Sequence, residues 1–294
     1  MACYLKDKAN LSFAAVGYIL STLRLNLNWL YFCAALLVQT AQAQDFSGDA
    51  RCEAMGGASL TISNAWSVFK NAGAIADANL GVVAGYLNRF MMSEISEKAM
   101  ATTIPAAGGV CGAGINYFGY QKYNQFKIAL GYAKKLGEKL NAGITIDYHV
   151  LDIALSPQKS NAIAGNIAML YHFNNNWHFA IALNNIAKTV IYDQALDEIV
   201  VSNILVGTSY QADKVVCEVD IESKPDYGNI TINTGVELKP VGGLSIRTGI
   251  TTLSFNTCWG AGYDFGFMNI DFAVRRHWIL GWLPSISVGF YKKN

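Results

Sequence analysis

The stretch that decides the fold is Asn141-Ala142-Gly143-Ile144-Thr145-Ile146-Asp147-Tyr148-His149-Val150. Successive side chains of an extended strand point to opposite faces, so its residues separate into two sets. One face carries the apolar residues Ile144, Ile146, Tyr148 and Val150. The other face carries Thr145, Asp147 and His149. The stretch therefore predicts a strand with one apolar face and one polar, charged face.

The same alternation returns along the chain with turn residues between the segments, which is typical of a membrane-spanning β-barrel. We predict an all-β fold, a transmembrane antiparallel barrel of about 14 strands. The predicted strands are 79–91, 96–105, 109–121, 125–136, 139–154, 161–173, 177–188, 198–211, 214–222, 228–239, 243–252, 256–265, 268–277 and 283–291. The last of them ends in Phe290 and Tyr291, like the terminal signal that hands barrel proteins to the insertion machinery.

The composition supports a membrane protein that crosses with strands. The chain has 294 residues, of which 52% are hydrophobic and only 15% charged, whereas a soluble domain has about 25% charged residues. After the first 44 positions no apolar run reaches the roughly 20 residues that a spanning helix needs. A barrel remains, because backbone polar groups in lipid must be paired within the protein. The net charge of +1 gives no argument for a nucleic-acid partner.

Charged residues collect on one side of the predicted strands, which we assign to the barrel lumen. A Lys or Arg on the lipid face costs about 2–4 kcal/mol near the midplane, so a barrel must sort its charges in this way. A soluble β-sandwich would place them outside. The predicted lumen set is Asp147, His149, Glu218, Asp220, Glu222, Glu237, Arg247, Asp271 and Arg275. It is either an interior ion-pair network that stiffens the barrel and holds a plug, or the lining of a polar path that favours cations.

The sequence predicts no enzyme, cofactor or metal site. Asp147 and His149 invite comparison with a hydrolase, but the Gly-x-Ser-x-Gly elbow is absent. The four histidines show no ligand spacing on a shared element. The cysteines after position 43 allow three pairings, and we interpret them as isolated small apolar residues. They are Cys52, Cys111, Cys217 and Cys258.

Residues 1–43 have the pattern of a cleaved signal peptide. Basic residues precede the apolar run 29–38, and Ala41-Gln42-Ala43 supplies the small-x-small cleavage pattern. A retained membrane anchor is the alternative, although the run is short for a spanning helix. We expect export to the outer membrane of a Gram-negative bacterium and an amino terminus on the periplasmic side.

Residues 44–78 precede the barrel, which we place at 79–294, and they have a different pattern. Ala54-Met55-Gly56-Gly57-Ala58-Ser59 is followed by Trp66 and Phe69 and then by Asn71-Ala72-Gly73. This order resembles the amino-terminal segment of the FadL-type outer-membrane barrels, in particular their PorV/PorQ branch, although the proline of the usual Asn-Pro-Ala-Gly is missing. An ordinary glycine-rich turn is the alternative. The resemblance implies a short helical hatch, with Met55, Gly56, Gly57, Trp66, Phe69, Asn71 and Gly73 as its candidate residues.

The resemblance also implies two non-enzymatic functions. A PorV/PorQ-like protein would be an accessory barrel of a protein secretion or assembly machine, of the type IX kind, with other outer-membrane proteins as partners. A FadL-like protein would instead pass fatty acids or other hydrophobic small molecules, with Trp66 and Phe69 beside the path. Outer-membrane lipid surrounds the barrel in both cases. On this evidence we favour the first function and keep the second as the alternative.

Overall fold

The structure is a computed structural model that describes residues 48–154, 159–191, 198–200 and 202–292. The predicted signal peptide and the first four residues of the predicted hatch lie outside the described residues.

Fourteen antiparallel strands close into a barrel, which confirms the predicted fold class. The strands are β1 Gly81–Asn88, β2 Ser96–Ala106, β3 Gly109–Tyr120, β4 Tyr123–Lys135, β5 Leu140–Ile153, β6 Ser160–His172, β7 Trp177–Asn184, β8 Val190–Ile191, β9 Glu198–Ile199, β10 Asn203–Gln211, β11 Val215–Lys224, β12 Asn229–Leu238, β13 Leu244–Thr251, β14 Asn256–Asp264, β15 Met268–His277 and β16 Gly281–Tyr291. Strands β8 and β9 form a separate hairpin. The barrel closes where β1 pairs with β16, from Gly81 opposite Tyr291 to Leu87 opposite Ser285.

The two faces of the wall differ as the alternation predicts. On β5, Ile144 and Ile146 point outward and are 55% and 56% exposed, whereas Thr145 and Asp147 are buried inside. The same outward apolar face continues around the barrel, which gives the wall a surface suited to lipid. Among the described residues, no helix has the length and apolar character that crossing a membrane requires.

The two ends of the barrel differ in their connections. At one end, which we call the turn end, neighbouring strands are joined by compact turns; in one of them Ala107 and Gly108 have φ angles of 53° and 72°. Two consecutive residues with positive φ match the twist of a tight hairpin. The opposite end, the loop end, carries the connection between β7 and β10. Because 48–78 enters at the turn end, we expect that end to face the periplasm.

The boundaries predicted for strands 177–188 and 198–211 are wrong. Strand β7 stops at Asn184, and β10 begins only at Asn203. The reason is Asn185, whose φ of 50° lies in the left-handed region and turns the chain out of the sheet. Its side chain stabilises the turn: Oδ1 accepts from the Thr189 backbone N–H at 2.9 Å, and Nδ2 donates to the Val200 carbonyl at 2.5 Å. Asparagine tolerates this conformation better than most residues.

The described residues 48–78, which we call the inner segment, lie inside the barrel. They contain one short helix, α1 Ala50–Ala54, and two 3₁₀ helices, Ala65–Phe69 and Ala72–Asp77. Asp49 caps α1 by accepting from the Arg51 backbone N–H at 2.9 Å. Asn71 caps the second 3₁₀ helix by accepting from the Gly73 N–H, also at 2.9 Å. These caps satisfy backbone donors that short helices leave open.

Candidate functional site

The lumen has an apolar side, on which the inner segment packs mainly through apolar side chains. Trp66, Val68 and Ile75 of the segment are 5%, 2% and 0% exposed and belong to one buried cluster. The wall residues of that cluster come from β1–β4, β6, β7 and β10, and they are Val83, Ala99, Ala101, Val110, Ala129, Ala133, Ala168, Leu170, Ala180, Ala182 and Leu205. Burial of apolar surface on this side stabilises the docked segment by about 25 cal/mol per Å² removed from water.

Small residues make room for the segment on that side of the wall. A Cβ added at Gly112 would lie 3.2 Å from side-chain atoms of both Val68 and Ile75, and one at Gly131 would lie 3.1 Å from Ile75. A wall of alanine and glycine therefore lets the two 3₁₀ helices approach the sheet closely. Larger inward residues would compete with the segment for the same volume.

The opposite side of the lumen holds the segment through charge. Arg51 donates to Glu237 through Nε at 2.7 Å and through Nη2 at 3.0 Å. Glu237 also accepts from Arg247 Nε at 2.5 Å, and Arg247 Nη1 reaches Asp271 at 2.6 Å. Nearby, Arg275 of β15 pairs with Glu53 of α1 at 2.6 Å. These buried groups form alternating charges across α1, β12, β13 and β15.

Two carboxylates of β11 bind the chain that follows α1. Asp220 Oδ2 accepts from the backbone N–H groups of Ser59 and Leu60 at 2.9 and 3.0 Å and lies 3.2 Å from Lys70 Nζ. Glu218 accepts from the Thr61 N–H at 2.7 Å. Carboxylates that accept backbone N–H groups fix the path of a chain without needing a regular secondary structure.

A further polar group links the segment to the connection between β7 and β10. Lys127 Nζ lies 5.7 Å from the centre of the Phe69 ring and 2.9 Å from Asp147. Asn166 donates to Asp147 at 3.0 Å and accepts from the Asn185 backbone N–H at 2.8 Å. A continuous series of contacts thus runs from a 3₁₀ helix of the inner segment to the turn that ends β7.

Most of the nine residues predicted for the lumen point inward, but only some meet each other. The buried set comprises Asp147, Glu218, Asp220, Glu222, Glu237, Arg247, Asp271 and Arg275. Glu222 lies toward the loop end, where it accepts from Asn203 Nδ2 at 2.9 Å. His149 is half-buried on β5, opposite Lys127 of β4 in the ladder. The prediction missed the residues of the inner segment that complete the network, Arg51, Glu53 and Lys70, although their charges in an otherwise apolar stretch were a usable signal.

The seven candidate hatch residues all lie in the part of the segment that contacts the wall. Met55 is fully buried, and Gly56 and Gly57 turn the chain after α1 with φ angles of 71° and 92°. Trp66 and Phe69 stack with ring centres 6.5 Å apart. Asn71 caps the last 3₁₀ helix, and Gly73 lies against the backbone of β6. This placement shows contact with the wall, and whether the segment moves as a hatch stays a prediction.

The wall is interrupted toward the loop end, between β6 and β7. The ladder that joins these strands begins at His172 opposite His178 and ends at Ile167 opposite Leu183. Beyond it the turn after β7 lies beside β6, where Ile186 N–H donates to the Gly165 carbonyl at 3.0 Å. The ladder thus covers nearly all of the short strand β7 but only the turn-end half of β6. A loop, rather than a strand, covers the remaining height of the wall.

Apolar residues gather at the mouth beside this interruption. Leu151 of β5 and Ala162 of β6 point inward and pack with Ile191 of β8, and Tyr123 and Val200 pack around them. Ile191 is 5% exposed, so the hairpin of β8 and β9 places an apolar side chain into the mouth. The mouth at this point is shaped for apolar contact.

The described residues do not form an obvious metal centre. Among them, no group of three or more His, Cys, Asp or Glu side chains is arranged to hold an ion. The four cysteines that the structure describes are unpaired; Cys52 and Cys258 are buried, Cys217 is half-buried and Cys111 is exposed.

Searches of known proteins find the fold but no sequence relative. No family model and no curated protein matches the sequence. Among solved structures, the toluene transporter TodX of P. putida is similar with a TM-score of 0.62 and 12% identity, over 85% of this chain and 100% of that one. The toluene transporter TbuX of Ralstonia pickettii gives 0.57 and 13%, over 83% of this chain and 98% of that one. A FadL homologue of Pseudomonas aeruginosa gives 0.59 and 11%, with the same coverage. The chain thus shares the barrel fold of these transporters, and its assignment to the PorV/PorQ branch stays a prediction.

Proposed function

We propose that this protein is an outer-membrane barrel through which small hydrophobic molecules pass without an energy source. The observation that carries the proposal is the interruption between β6 and β7, which lies directly beside the apolar mouth. A hydrophobic molecule that leaves water gains free energy as its apolar surface is buried. The loop after β7 covers this part of the wall and is held to β6 by hydrogen bonds from Ile186 and Thr189. Its displacement would give such a molecule a sideways path from the apolar mouth to lipid. The fold shared with TodX and TbuX supports the same function.

The inner segment is the element that such a molecule would meet below the mouth. Phe69 and Trp66 stand on the apolar side of the lumen, and Lys127 lies against the Phe69 ring. In this proposal the segment acts as a hatch that blocks the lower lumen, so hydrophobic molecules leave through the wall instead of crossing the whole barrel. The ion pairs of α1 keep the segment in place while this happens.

The proposal is tested by uptake in a strain that lacks the gene. Uptake of labelled toluene and of a labelled long-chain fatty acid is compared in the parent, in the deletion strain and in strains carrying plasmid copies. We expect the deletion to lower uptake of at least one compound and the wild-type copy to restore it. A copy with Leu151→Asp and Ile191→Asp, which places charge in the mouth, should reach the membrane but fail to restore uptake. Unchanged uptake in the deletion strain would refute the function.

A second candidate function is that of an accessory barrel in a secretion or assembly machine. One observation favours it: apolar side chains project from the loop end, with Trp278 82% exposed and Ile279 79% exposed. Large exposed apolar residues in contact with one another are typical of protein-binding surfaces. Affinity purification from outer membranes in mild detergent tests this function. Stoichiometric recovery of another outer-membrane protein, lost on Trp278→Ser and Ile279→Ser, would support it over transport.

A further inference from the structure

The last residue of the inner segment meets the wall in a cluster at the turn end. Asp77 closes the second 3₁₀ helix and contacts side chains from three consecutive strands of the wall. Lys135 of β4 lies 2.7 Å from Asp77 Oδ1, and Asn141 of β5 donates to Oδ2 at 2.5 Å. His172 of β6 contacts the same Oδ2 through Nε2 at 2.8 Å. None of these contacts enters the proposed path for hydrophobic molecules.

The two histidines of this cluster face each other nitrogen to nitrogen. His172 and His178 are directly opposite in the ladder of β6 and β7, and their Nδ1 atoms are 2.7 Å apart. The ring planes are nearly perpendicular, at 84°. Both rings are partly exposed at the turn end, so an ion in solution can reach them. Their spacing along the chain gives no ligand motif, because the hairpin rather than a shared strand or helix brings them together.

The carboxylate of Asp77 determines which nitrogen of His172 is available. A carboxylate accepts hydrogen bonds, so the contact at 2.8 Å places a proton on Nε2 of His172. Nδ1 of His172 then carries a lone pair and accepts the proton on Nδ1 of His178. Metal-binding histidines commonly donate their second nitrogen to a carboxylate in this way, which fixes both tautomer and ring orientation. Asp77 thus holds His172 in the state that a metal requires. Metal binding requires His178 to take its other neutral tautomer, with the proton on Nε2.

We propose that His172 and His178 form a binding site for a divalent transition ion of the zinc class, with Asp77 as the residue that positions it. Zinc–nitrogen bonds are about 2.0–2.1 Å long, so two tetrahedral nitrogen ligands lie about 3.3 Å apart. From their present contact of 2.7 Å the two nitrogens must separate by about 0.6 Å, and the rings must turn so that both lone pairs point at one ion. Water completes the coordination, because within the described part of the chain only these two ring nitrogens meet here. A bound ion would join β6 and β7 below the point where their ladder stops, and through Asp77 it would also hold the end of the inner segment.

The test is direct metal binding by the full protein purified in detergent without a polyhistidine tag. Calorimetry with Zn²⁺ should show one ion per barrel, saturating below about 1 mM. Binding of Co²⁺ should add the visible absorption of a nitrogen-ligated ion. His172→Ala and His178→Ala should each abolish both signals, and His178→Gln provides a gentler variant if alanine disturbs the hairpin. Asp77→Asn should weaken affinity by about 10–100-fold without removing the absorption, as expected for a positioning residue.

His277 supplies the matched control, because it is also half-buried but lies at the loop end. His277→Ala should leave zinc affinity unchanged. Absence of saturable binding in the wild type would overturn the site, and so would binding that survives in His172→Ala and His178→Ala. Each variant is first shown to be folded by the shift of its electrophoretic mobility on heating. Because this test measures metal binding and not uptake, the zinc site can be confirmed or refuted independently of the transport function.

Discussion

Arg51 of the inner segment and Glu237 of β12 form a two-point ion pair, with both nitrogen–oxygen distances at or below 3.0 Å. Glu237 is 1% exposed and is shared with Arg247 of the wall. One buried carboxylate therefore neutralises a cation of the segment and a cation of the barrel. This makes Glu237 the residue whose loss should affect docking of the segment most directly.

Glu237→Ala should release α1 from the wall. The change leaves two buried guanidinium groups without their shared partner, and breaking such a pair costs about 3–5 kcal/mol. We expect hydrogen exchange of residues 49–60, measured by mass spectrometry, to accelerate at least about tenfold. Lys239→Ala is the control, because Lys239 is 3.5 Å from Glu237 but its side chain is 43% exposed. An exposed pair contributes about 0–1 kcal/mol, so this variant should exchange like the wild type.

Gly249→Val should displace the same region without changing any charge. A Cβ at Gly249 would overlap the backbone at Met55 and Gly56, which cannot move aside as a flexible side chain can. We expect a closed barrel whose residues 49–60 lose protection from exchange. Gly165→Ala provides a matched change, since no heavy atom lies within 4 Å of its added Cβ. Equal protection in the two variants would contradict the close approach of α1 to β13.

Asn185→Ala should loosen the loop that covers the interrupted wall. The change removes the bonds to Thr189 and Val200 and places a residue with a Cβ but no compensating polar group at positive φ. Loss of buried hydrogen bonds of this kind costs about 1–3 kcal/mol. We expect faster exchange of residues 186–191. Asn185→Gly keeps the backbone conformation accessible, so the difference between the two variants separates strain from lost bonds. If the proposed function is right, both variants should also change the rate of hydrocarbon uptake.

Docking of the inner segment should weaken as the pH rises from 5 to 7. Burial, together with the nearby Asp271 carboxylate, raises the pKa of Asp49 from 3.8 to about 6. The docked state then favours the protonated acid, so this stability is greatest near pH 4 and falls as the pH passes 6. A pKa shift of about two units stabilises the docked segment by at most about 3 kcal/mol. Between pH 5 and 7 the protection of the segment from hydrogen exchange should fall about tenfold. Exchange corrected for the intrinsic rate measures this, and Asp49→Asn should reduce the dependence.

Much of the barrel was predictable because strand alternation is a local property. The alternation of side chains along β5 is enough to predict its two faces. Asp147 is buried and Ile146 is exposed, as expected. The end of β7 was not predicted, although Asn184 and Asn185 interrupt the alternation of apolar and inward-facing residues there. The left-handed backbone of Asn185 depends on contacts with Asn166, Thr189 and Val200, which are brought together only by the fold.

The sequence predicts which wall residues face the lumen, but it does not predict which of them pair with the inner segment. Parity places Glu237 and Arg247 in the lumen, but their partner Arg51 is 186 residues from Glu237 along the chain. No local feature of the sequence indicates that these two residues pair. The contact between His172 and His178 was missed for a similar reason, because ligand spacing was sought within single strands and helices rather than across a hairpin.

The ion pairs of α1 also impose an order on biogenesis. The segment is made before any strand of the barrel, yet the charged partners of Arg51, Glu53 and Lys70 lie on β11, β12 and β15, in the last third of the chain. Those partners can form a wall only after the last strands have been made. The segment therefore reaches its final contacts in one of the last steps of folding, although it precedes every strand along the chain.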